Sequence, residues 1–307
     1  MVIIYKIKFK TKKIICFVII IIFFLYLIKN EKKLGQNHIF TFWEPHNNIP
    51  GYLLLCLETW KKVFPEYEII ILDYKKTKKF IGKNLFLNII CENMTMPLQA
   101  DAIRVALLKK YGGIWMDIDT IAINNGFLSN LKGFEMSMLG FSKRRTQNLA
   151  FIYSTKNSTI IEEWLRQIII KVKIYKNAIN EMKTKKKINE TFWNNINAWN
   201  YLGNGILDNL VKNTSFKKFY RLDNNELNVF PELYFLKNSA NSALSMVEKY
   251  KQFYFTDGDA KKILNKSKSL ILLHNSWTPL RYKNMSKNEF LKQKIMISKI
   301  FRILLNK

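Results

Sequence analysis

The chain has 307 residues, 48% of them hydrophobic, enough to bury the core of one domain and an appendage. Cys16, Cys56 and Cys91 are odd in number and far apart, which offers no disulfide framework and no metal or redox spacing, so all three read as small buried apolar residues. Fifty Lys+Arg against 23 Asp+Glu give a formal charge of +27, a balance that favours polyanions by counterion release. Lysine, however, is scattered among isoleucine and asparagine as a general bias would scatter it. The runs at 75–79 and 183–187 are expected on solvated faces, and no nucleic-acid site is expected. A basic surface still suits an anionic membrane or anionic sugar phosphates.

Residues 14–28, "IICFVIIIIFFLYLI", carry no charge. As a helix they span about 22 Å, short of a hydrocarbon core of about 30 Å, and Lys12, Lys13 and Lys29 can snorkel to extend the reach. No small-residue cleavage site follows, so a retained membrane anchor is expected, with a buried strand or helix as the alternative. More lysines precede the segment (Lys6, Lys8, Lys10, Lys12, Lys13) than follow it (Lys29, Lys32, Lys33). That excess favours the N-terminus inside and the main domain across the membrane. A helix lying in the interface instead leaves the domain on the cytoplasmic side.

"HIFTFWE" at 38–44 reads as a first buried strand, and Pro50 and Gly51 open an apolar-periodic helix closed by Pro65. "YEIIILD" at 67–73 is a continuous apolar run, as a strand covered on both faces requires. Helical patterns lead to Cys91. Pro97 suits the first position of a helix running to Lys110, Gly112 and Gly113 stop it, and "IWMDID" at 114–119 is the next strand. This alternation predicts an α/β domain with parallel neighbours over 37–285, preceded by the basic segment and hydrophobic helix of 1–36. Farther on, 158–179 and 190–202 read as helices, with "GNG" at 203–205 as a break, and "SLILLHNSW" as a late buried strand ending at His274. Ser286 and Glu289 form a possible capping box for an amphipathic, lysine-bearing helix over 286–307, which either packs on the domain or lies on lipid.

In parallel α/β sheets ligands bind beyond the carboxyl ends of the strands, where Trp43, Asp73, Asp117 and Asp119 are expected. Residues two apart on a strand point the same way, so Asp117 and Asp119 project together and repel unless a cation or a shared proton compensates them. A divalent ion with oxygen ligands does this and can bridge a diphosphate. Asp101 and Arg104, at i and i+3, share a helix face that the Gly-Gly turn folds toward the strand. An acidic pair alone is a weak motif, since such pairs are common in solvated turns.

The combination is more specific. "ADAIRVALLKKYGGIWMDIDT" resembles the hallmark of glycosyltransferases with a sugar-binding Asp-x-Asp motif. "IFTFWEP" with "YLLLCLETWKKVFPEYEIIILD" resembles the opening of that fold, and "LLHNSWTP" its closing element. The chain looks most like the bacterial capsular polysaccharide synthesis glycosyltransferases, and more distantly is similar to yeast-type mannosyltransferases and the glucosylating clostridial toxins. The resemblance covers roughly 38–282, with 158–200 poorly matched.

It implies a GT-A-like fold with a mixed, mainly parallel central sheet, a nucleotide-diphosphate sugar donor, Mn²⁺ or Mg²⁺, and a glycan or lipid-linked glycan acceptor. By motif, Asp119 would ligate the metal with His274 as a further ligand. Asp117 would contact the ribose and donor sugar. Asp101 and Arg104 would hold the donor sugar, Ser276 and Trp277 of the "HNSW" element, with Asn275, would bind the diphosphate, and Trp43 would stack on the base. Gly203, Asn204 and Gly205 resemble the small-residue loop beside the acceptor, although an ordinary helix stop explains them nearly as well. Relatives retain anomeric configuration without a dedicated base. Inversion would require a carboxylate near the acceptor, and Asp208, Asp223 and Asp257 are the unplaced possibilities. The rival reading is a lysine-rich membrane- or polyanion-binding protein with an incidental acidic pair.

Overall fold

A computed structural model describes residues 37–131, 133–141, 146–184, 188–212, 219–223, 245–267 and 269–307. The expected anchor at 14–28, Cys16 and part of the lysine run at 183–187 lie outside the described residues. Residues Gln36–Lys307 make one compact unit. No helix among the described residues is long and apolar enough to cross a membrane.

The first half alternates as the apolar runs predict. Strand β1 (His38–Phe42) is followed by α1 (Gly51–Val63), β2 (Glu68–Leu72), α2 (Tyr74–Ile81), α3 (Lys83–Ile89), α4 (Met96–Tyr111) and β3 (Gly113–Met116). Every residue of β1 is buried, because both faces of the strand are covered. Phe40 meets Phe80 of α2 and Tyr111 of α4 on one face, while Ile39 belongs to the apolar cluster built around Tyr52, Leu53 and Trp60 of α1 on the other. Helix α4 is buried on nearly every side, with Leu98 through Leu108 showing little beyond Ala100 to solvent.

The chain continues through β4 (Thr120–Ala122), β5 (Met136–Phe141), β6 (Thr146–Ser154), α5 (Thr159–Lys183), α6 (Glu190–Ile196), α7 (Asn204–Lys212), β7 (Phe219–Asp223), α8 (Met246–Tyr254), α9 (Ala260–Lys266), β8 (Leu270–Leu272), α10 (Leu280–Lys283), α11 (Lys287–Leu291) and α12 (Met296–Leu305). Among the described residues the main sheet has six strands in the order β2-β1-β3-β6-β5-β7. β2, β1 and β3 are parallel, β6 runs against both β3 and β5, and β7 is parallel to β5. The expected mixed, mainly parallel sheet is what the chain forms. A second, two-stranded antiparallel sheet pairs β4 with β8.

Four expectations are corrected. The strand expected over 114–119 ends at Met116, and Asp117–Asp119 form a turn in which the Thr120 amide donates to the Asp117 carbonyl at 3.0 Å. The chain must leave the main sheet there to pair with β8. The helix expected over 190–202 ends at Ile196, and the glycine-flanked "GNG" opens α7 instead of stopping a helix. The helix expected over 286–307 is two helices. The Ser286/Glu289 capping box is present on α11, and the chain then turns so that Arg302 donates to the Leu291 and Gln293 carbonyls. Cys56 is buried as expected, but Cys91 is half-buried; both are free thiols.

Helix α12 packs on the domain. Its Ile297, Ile300 and Phe301 are fully buried in the cluster formed by α1, and the Ser298 hydroxyl donates to the Phe290 carbonyl at 2.7 Å. The lysines at 75, 76, 78 and 79 lie exposed on α2, the solvated face the sequence predicts.

Candidate functional site

Why should a helix end in two glycines and run straight into an acidic turn? Both glycines have positive φ, +70° at Gly112 and +91° at Gly113, which other residues adopt only with strain. A Cβ on Gly112 would lie 2.6 Å from the Lys156 amide nitrogen, and one on Gly113 would lie 2.9 Å from the His38 carbonyl. Reversal of α4 into β3 therefore requires glycine twice, and it swings the Asp101–Arg104 face of α4 alongside the end of β3.

Arg104 is the hub of that face. Its guanidinium lies 3.2 Å from Asp101 and 3.5 Å from Asp117, donates to the Leu149 carbonyl at 2.6 Å, and stacks over Trp115 at 5.0 Å. The Trp115 indole N–H donates to Asp117 Oδ1 at 2.7 Å. Asp101 and Arg104 are both buried, whereas about a third of the Asp117 side chain is exposed. Burial pushes the Asp101 carboxyl up to about 7, against the pull of Arg104 and with a push from Asp117. Gly203 packs onto this carboxylate: a Cβ there would sit 2.4 Å from Asp101 Oδ2 and 2.6 Å from the Leu149 side chain. The fold thus brings the glycine-rich turn from the second half of the chain onto Asp101, and places half-buried Asn204 one residue further on.

Asp119 faces a different neighbour. Its Oδ2 accepts from the Asn275 amide at 2.9 Å, and its carbonyl accepts from the Leu273 amide at 2.9 Å. The β4–β8 pairing, with Thr120 opposite Leu272, carries residues 274–278 to the acidic turn. Burial and the neighbouring Asp117 push the Asp119 carboxyl up to about 7. His274 is half-buried and stacks on Trp277 at 4.0 Å between ring centroids. Burial lowers its pKa, opposed by the charge of Asp117, and the adjoining Asn275 amide is the group that meets Asp119.

Two buried tyrosines that the motifs do not single out hold this region. Tyr52 of α1 donates to Asn275 Oδ1 at 2.5 Å. The Tyr250 hydroxyl accepts from the His274 amide at 3.1 Å and meets the Thr278 hydroxyl at 3.4 Å. Burial raises both phenols well above their ordinary range, so both stay neutral hydrogen-bonding groups. Their only sequence signal was a polar tip within apolar helices, which ordinary core tyrosines share.

The other expected residues lie as follows. Trp43 is half-buried just beyond β1, its amide donating to the Leu72 carbonyl at 2.9 Å and its indole N–H to the Asn48 carbonyl at 3.0 Å, so the ring has a fixed setting. Asp73 caps α2 by accepting from the Lys76 amide at 2.6 Å. Ser276 is exposed and Trp277 half-buried. Asp257 is ion-paired with Lys299 of α12, Asp208 lies one turn after Asn204 on the same face of α7, and Asp223 ends β7. Two surface depressions, of about 720 and 380 Å³, lie elsewhere: one beside Asp257 and α12, the other between α1, residues 122–125 and α12. Neither holds an expected site residue other than Asp257. The acidic turn is the candidate site because charged groups from distant segments converge there.

The residues suit a hard divalent cation in part. Two neighbouring carboxylates, one of them pushed up to about 7, need a proton or a cation to coexist, and an imidazole stands nearby. Among the described residues no group of three or more His, Cys, Asp or Glu side chains is arranged to hold a metal. An ion held by Asp119 and His274 would have to complete its coordination with waters and substrate phosphate oxygens.

The chain matches the model of the capsular polysaccharide synthesis protein family over residues 17–252, about three quarters of its length, and belongs to that family. The assignment read from the motifs, to the capsular polysaccharide synthesis glycosyltransferases, stands on this match. The matched span begins inside the hydrophobic segment at 14–28 and ends before "HNSW", which reaches the site through the fold. No curated protein sequence matches. Among solved structures, the chain is similar to PaToxG glycosyltransferase, at 15% identity and a TM-score of 0.35, covering 70% of this chain and 83% of that one. It is also similar to mouse xyloside xylosyltransferase 1, at 9% identity and a TM-score of 0.39, covering 80% and 99%. A third likeness is to the glycosyltransferase GlyE of Streptococcus pneumoniae TIGR4, at 10% identity and a TM-score of 0.37, covering 85% of this chain but 65% of GlyE. Likenesses at this level carry no information about particular residues.

Proposed function

We propose that the chain is a metal-dependent glycosyltransferase that moves a sugar from a nucleotide-diphosphate sugar to a glycan or lipid-linked glycan acceptor in surface polysaccharide synthesis, at a membrane. One observation carries the reading: Asp117 and Asp119 lie at the carboxyl end of the parallel strands with Asp101–Arg104 on one side and residues 274–278 on the other. Within a chain of the capsular polysaccharide synthesis family, that convergence has a chemical use.

Asp119 and His274 would hold Mn²⁺ or Mg²⁺, which when bound neutralises negative charge developing on the departing diphosphate. The chain's own residues do the rest. Arg104, shared between Asp101 and Asp117, keeps both carboxylates oriented and supplies positive charge beside the donor. Asp117 is the partly exposed acid available to ribose and sugar hydroxyls. Asp101, with a carboxyl near 7, accepts or donates a hydrogen bond to a donor hydroxyl at neutral pH. Trp43, tied to the Asn48 carbonyl, would offer a face to the base, and exposed Ser276 with Trp277 would bind the diphosphate. Asn204, next to the Gly203 that packs on Asp101, would lie on the acceptor side. Transfer is proposed to retain anomeric configuration. Asp208, on the Asn204 face of α7, is the first carboxylate to test if product NMR shows inversion.

The test is thermal shift of the purified chain with UDP- and GDP-sugars, with and without Mn²⁺, in wild type and Asp119→Ala. At least one donor should raise the wild-type melting temperature only with the cation, and Asp119→Ala should lose that rise. Melting unmoved across the panel sinks the reading. Tight, salt-sensitive polyanion binding indifferent to Asp119→Ala would favour the lysine-rich binding protein instead.

A further inference from the structure

The stretch 190–205, "ETFWNNINAWNYLGNG", differs from the rest of the surface. It carries one charged residue, Glu190, in a chain where 24% of residues are charged, and it interleaves Phe192, Trp193, Trp199 and Tyr201 with asparagines. Trp199 is 69% exposed and Phe192 41% exposed, and Asn194 and Asn195 also face solvent. Lone surface apolar residues need no explanation, but the turn that carries this one is tied down on both sides of it. Three side chains of α5 pin the turn. Tyr175 donates to Asn197 Oδ1 at 3.1 Å, Lys171 to the Tyr201 carbonyl at 2.8 Å, and the Trp164 indole to the Leu202 carbonyl at 2.8 Å. The Gly205 amide closes the turn onto the Asn200 carbonyl at 2.8 Å, which sets Trp199 beside the start of α7 and Asn204.

Gly203 locates the ledge. It packs against the Asp101 carboxylate, so the four residues back to Trp199 span about 14 Å at most, the length of a short oligosaccharide. An exposed indole on a pre-ordered turn matches the apolar C–H face of a pyranose at little ordering cost, and asparagine amides both donate to and accept from hydroxyls. The one cation set into the turn, Lys171, is engaged by the Tyr201 carbonyl and ring, and the few charges of 190–205 itself suit an uncharged ligand, where the exposed lysines of other segments would take an anionic one.

We propose that residues 190–205 form a binding site for a neutral glycan, in which Trp199 stacks on a pyranose ring and the asparagine side chains read its hydroxyls. That this glycan is the acceptor rests on the glycosyltransferase reading above; that a neutral sugar binds there does not.

The experiment uses the purified full chain with lactose, maltose, cellobiose and N,N′-diacetylchitobiose, read by saturation-transfer NMR and tryptophan emission. At least one disaccharide should bind, Trp199→Ala should weaken it tenfold or more, and Trp199→Phe should weaken it less. A heparin tetrasaccharide, bound through lysines, should be indifferent to both changes. Equal disaccharide binding by wild type and Trp199→Ala overturns the proposal, as does no binding by wild type. The donor thermal shift separates the two readings. If no donor moves wild-type melting while disaccharide binding still needs Trp199, the transferase reading fails and the sugar site stands. A normal donor response with disaccharide binding indifferent to Trp199 is the reverse.

Discussion

Asp117 and Asp119 lie two residues apart in one turn, yet their surroundings differ in kind. On the Asp117 side the chain supplies the counter-charge: Arg104 at 3.5 Å, with the Trp115 indole N–H at 2.7 Å. On the Asp119 side a backbone amide, Asn275 N–H at 2.9 Å, meets a carboxyl that burial and its neighbour push up to about 7. The first side has its counter-charge within the protein while Asp117 stays partly exposed. The second reaches neutrality only by taking up a proton or a cation. The difference teaches that an acidic pair is not one chemical unit: its members are tuned separately by what packs on each.

Breaking the first side should cost most. Arg104→Met leaves Asp101 buried without its cation, and loss of one partner of a buried pair typically destabilises by about 3–5 kcal/mol. Urea denaturation should show that loss near neutral pH and much less of it at pH 5, where Asp101 is protonated. An equal loss at both values would mean that Arg104 acts through its contacts with Asp117, Leu149 and Trp115 and not through the charge of Asp101.

The second side is sharpened by pH. A carboxyl raised from its ordinary value near 4 to about 7 holds, in the folded state, a proton the unfolded chain has already released. Its stabilising contribution is therefore full below about pH 4 and lost as pH rises through 7. Asp119→Asn should flatten that decline, by on the order of 1–4 kcal/mol between pH 5 and pH 8. Parallel stability profiles for the variant and wild type would show that Asp119 titrates normally.

Smaller effects test how the two sides are joined to the rest. Gly203→Ala forces a Cβ to within 2.4 Å of Asp101 Oδ2, so the carboxylate or the turn must shift, at a cost of about 1–3 kcal/mol. Donor-dependent thermal shift should fall with it; unchanged melting and donor response would show that the turn yields freely. Tyr52→Phe removes the 2.5 Å hydrogen bond to Asn275 and should cost about 1 kcal/mol. It should also weaken Mn²⁺-dependent stabilisation, because Asn275 then holds Asp119 less firmly; a melting loss with unaltered Mn²⁺ response would confine Tyr52 to packing.

Much of the first half was legible because local rules govern it. The apolar run at 67–73 is a strand as its pattern suggests, but not one covered on both faces: β2 lies at the sheet edge, with Ile70 and Leu72 buried and Ile69 and Ile71 half-buried, while Gly112–Gly113 mark a reversal. Asp101 and Arg104, three residues apart on a helix, had to share a face. The acidic turn was misread as continuous strand because "IWMDID" alternates as strands do, and nothing local says that the chain must change sheets after Met116. The stretch 190–202 was misread likewise: its helical pattern persists past Ile196, but the side chains of α5 that hold 197–202 as a turn lie up to 38 residues away.

The sequence by itself determined the alternation of elements, the burial of β1, the reversal at the two glycines and the pairing of Asp101 with Arg104. Periodicity, backbone sterics and one-turn spacing act within a few residues and need no partner. Only the tertiary structure decided that Asn275 meets Asp119, that Tyr52 and Tyr250 hold that segment, and that Gly203 rests on Asp101. Those contacts join segments 100 or more residues apart for Asp119 and Asp101. Which of many similar tyrosines, amides and glycines meets a given carboxylate is settled by the shape and filling of the whole core, and no local pattern records it.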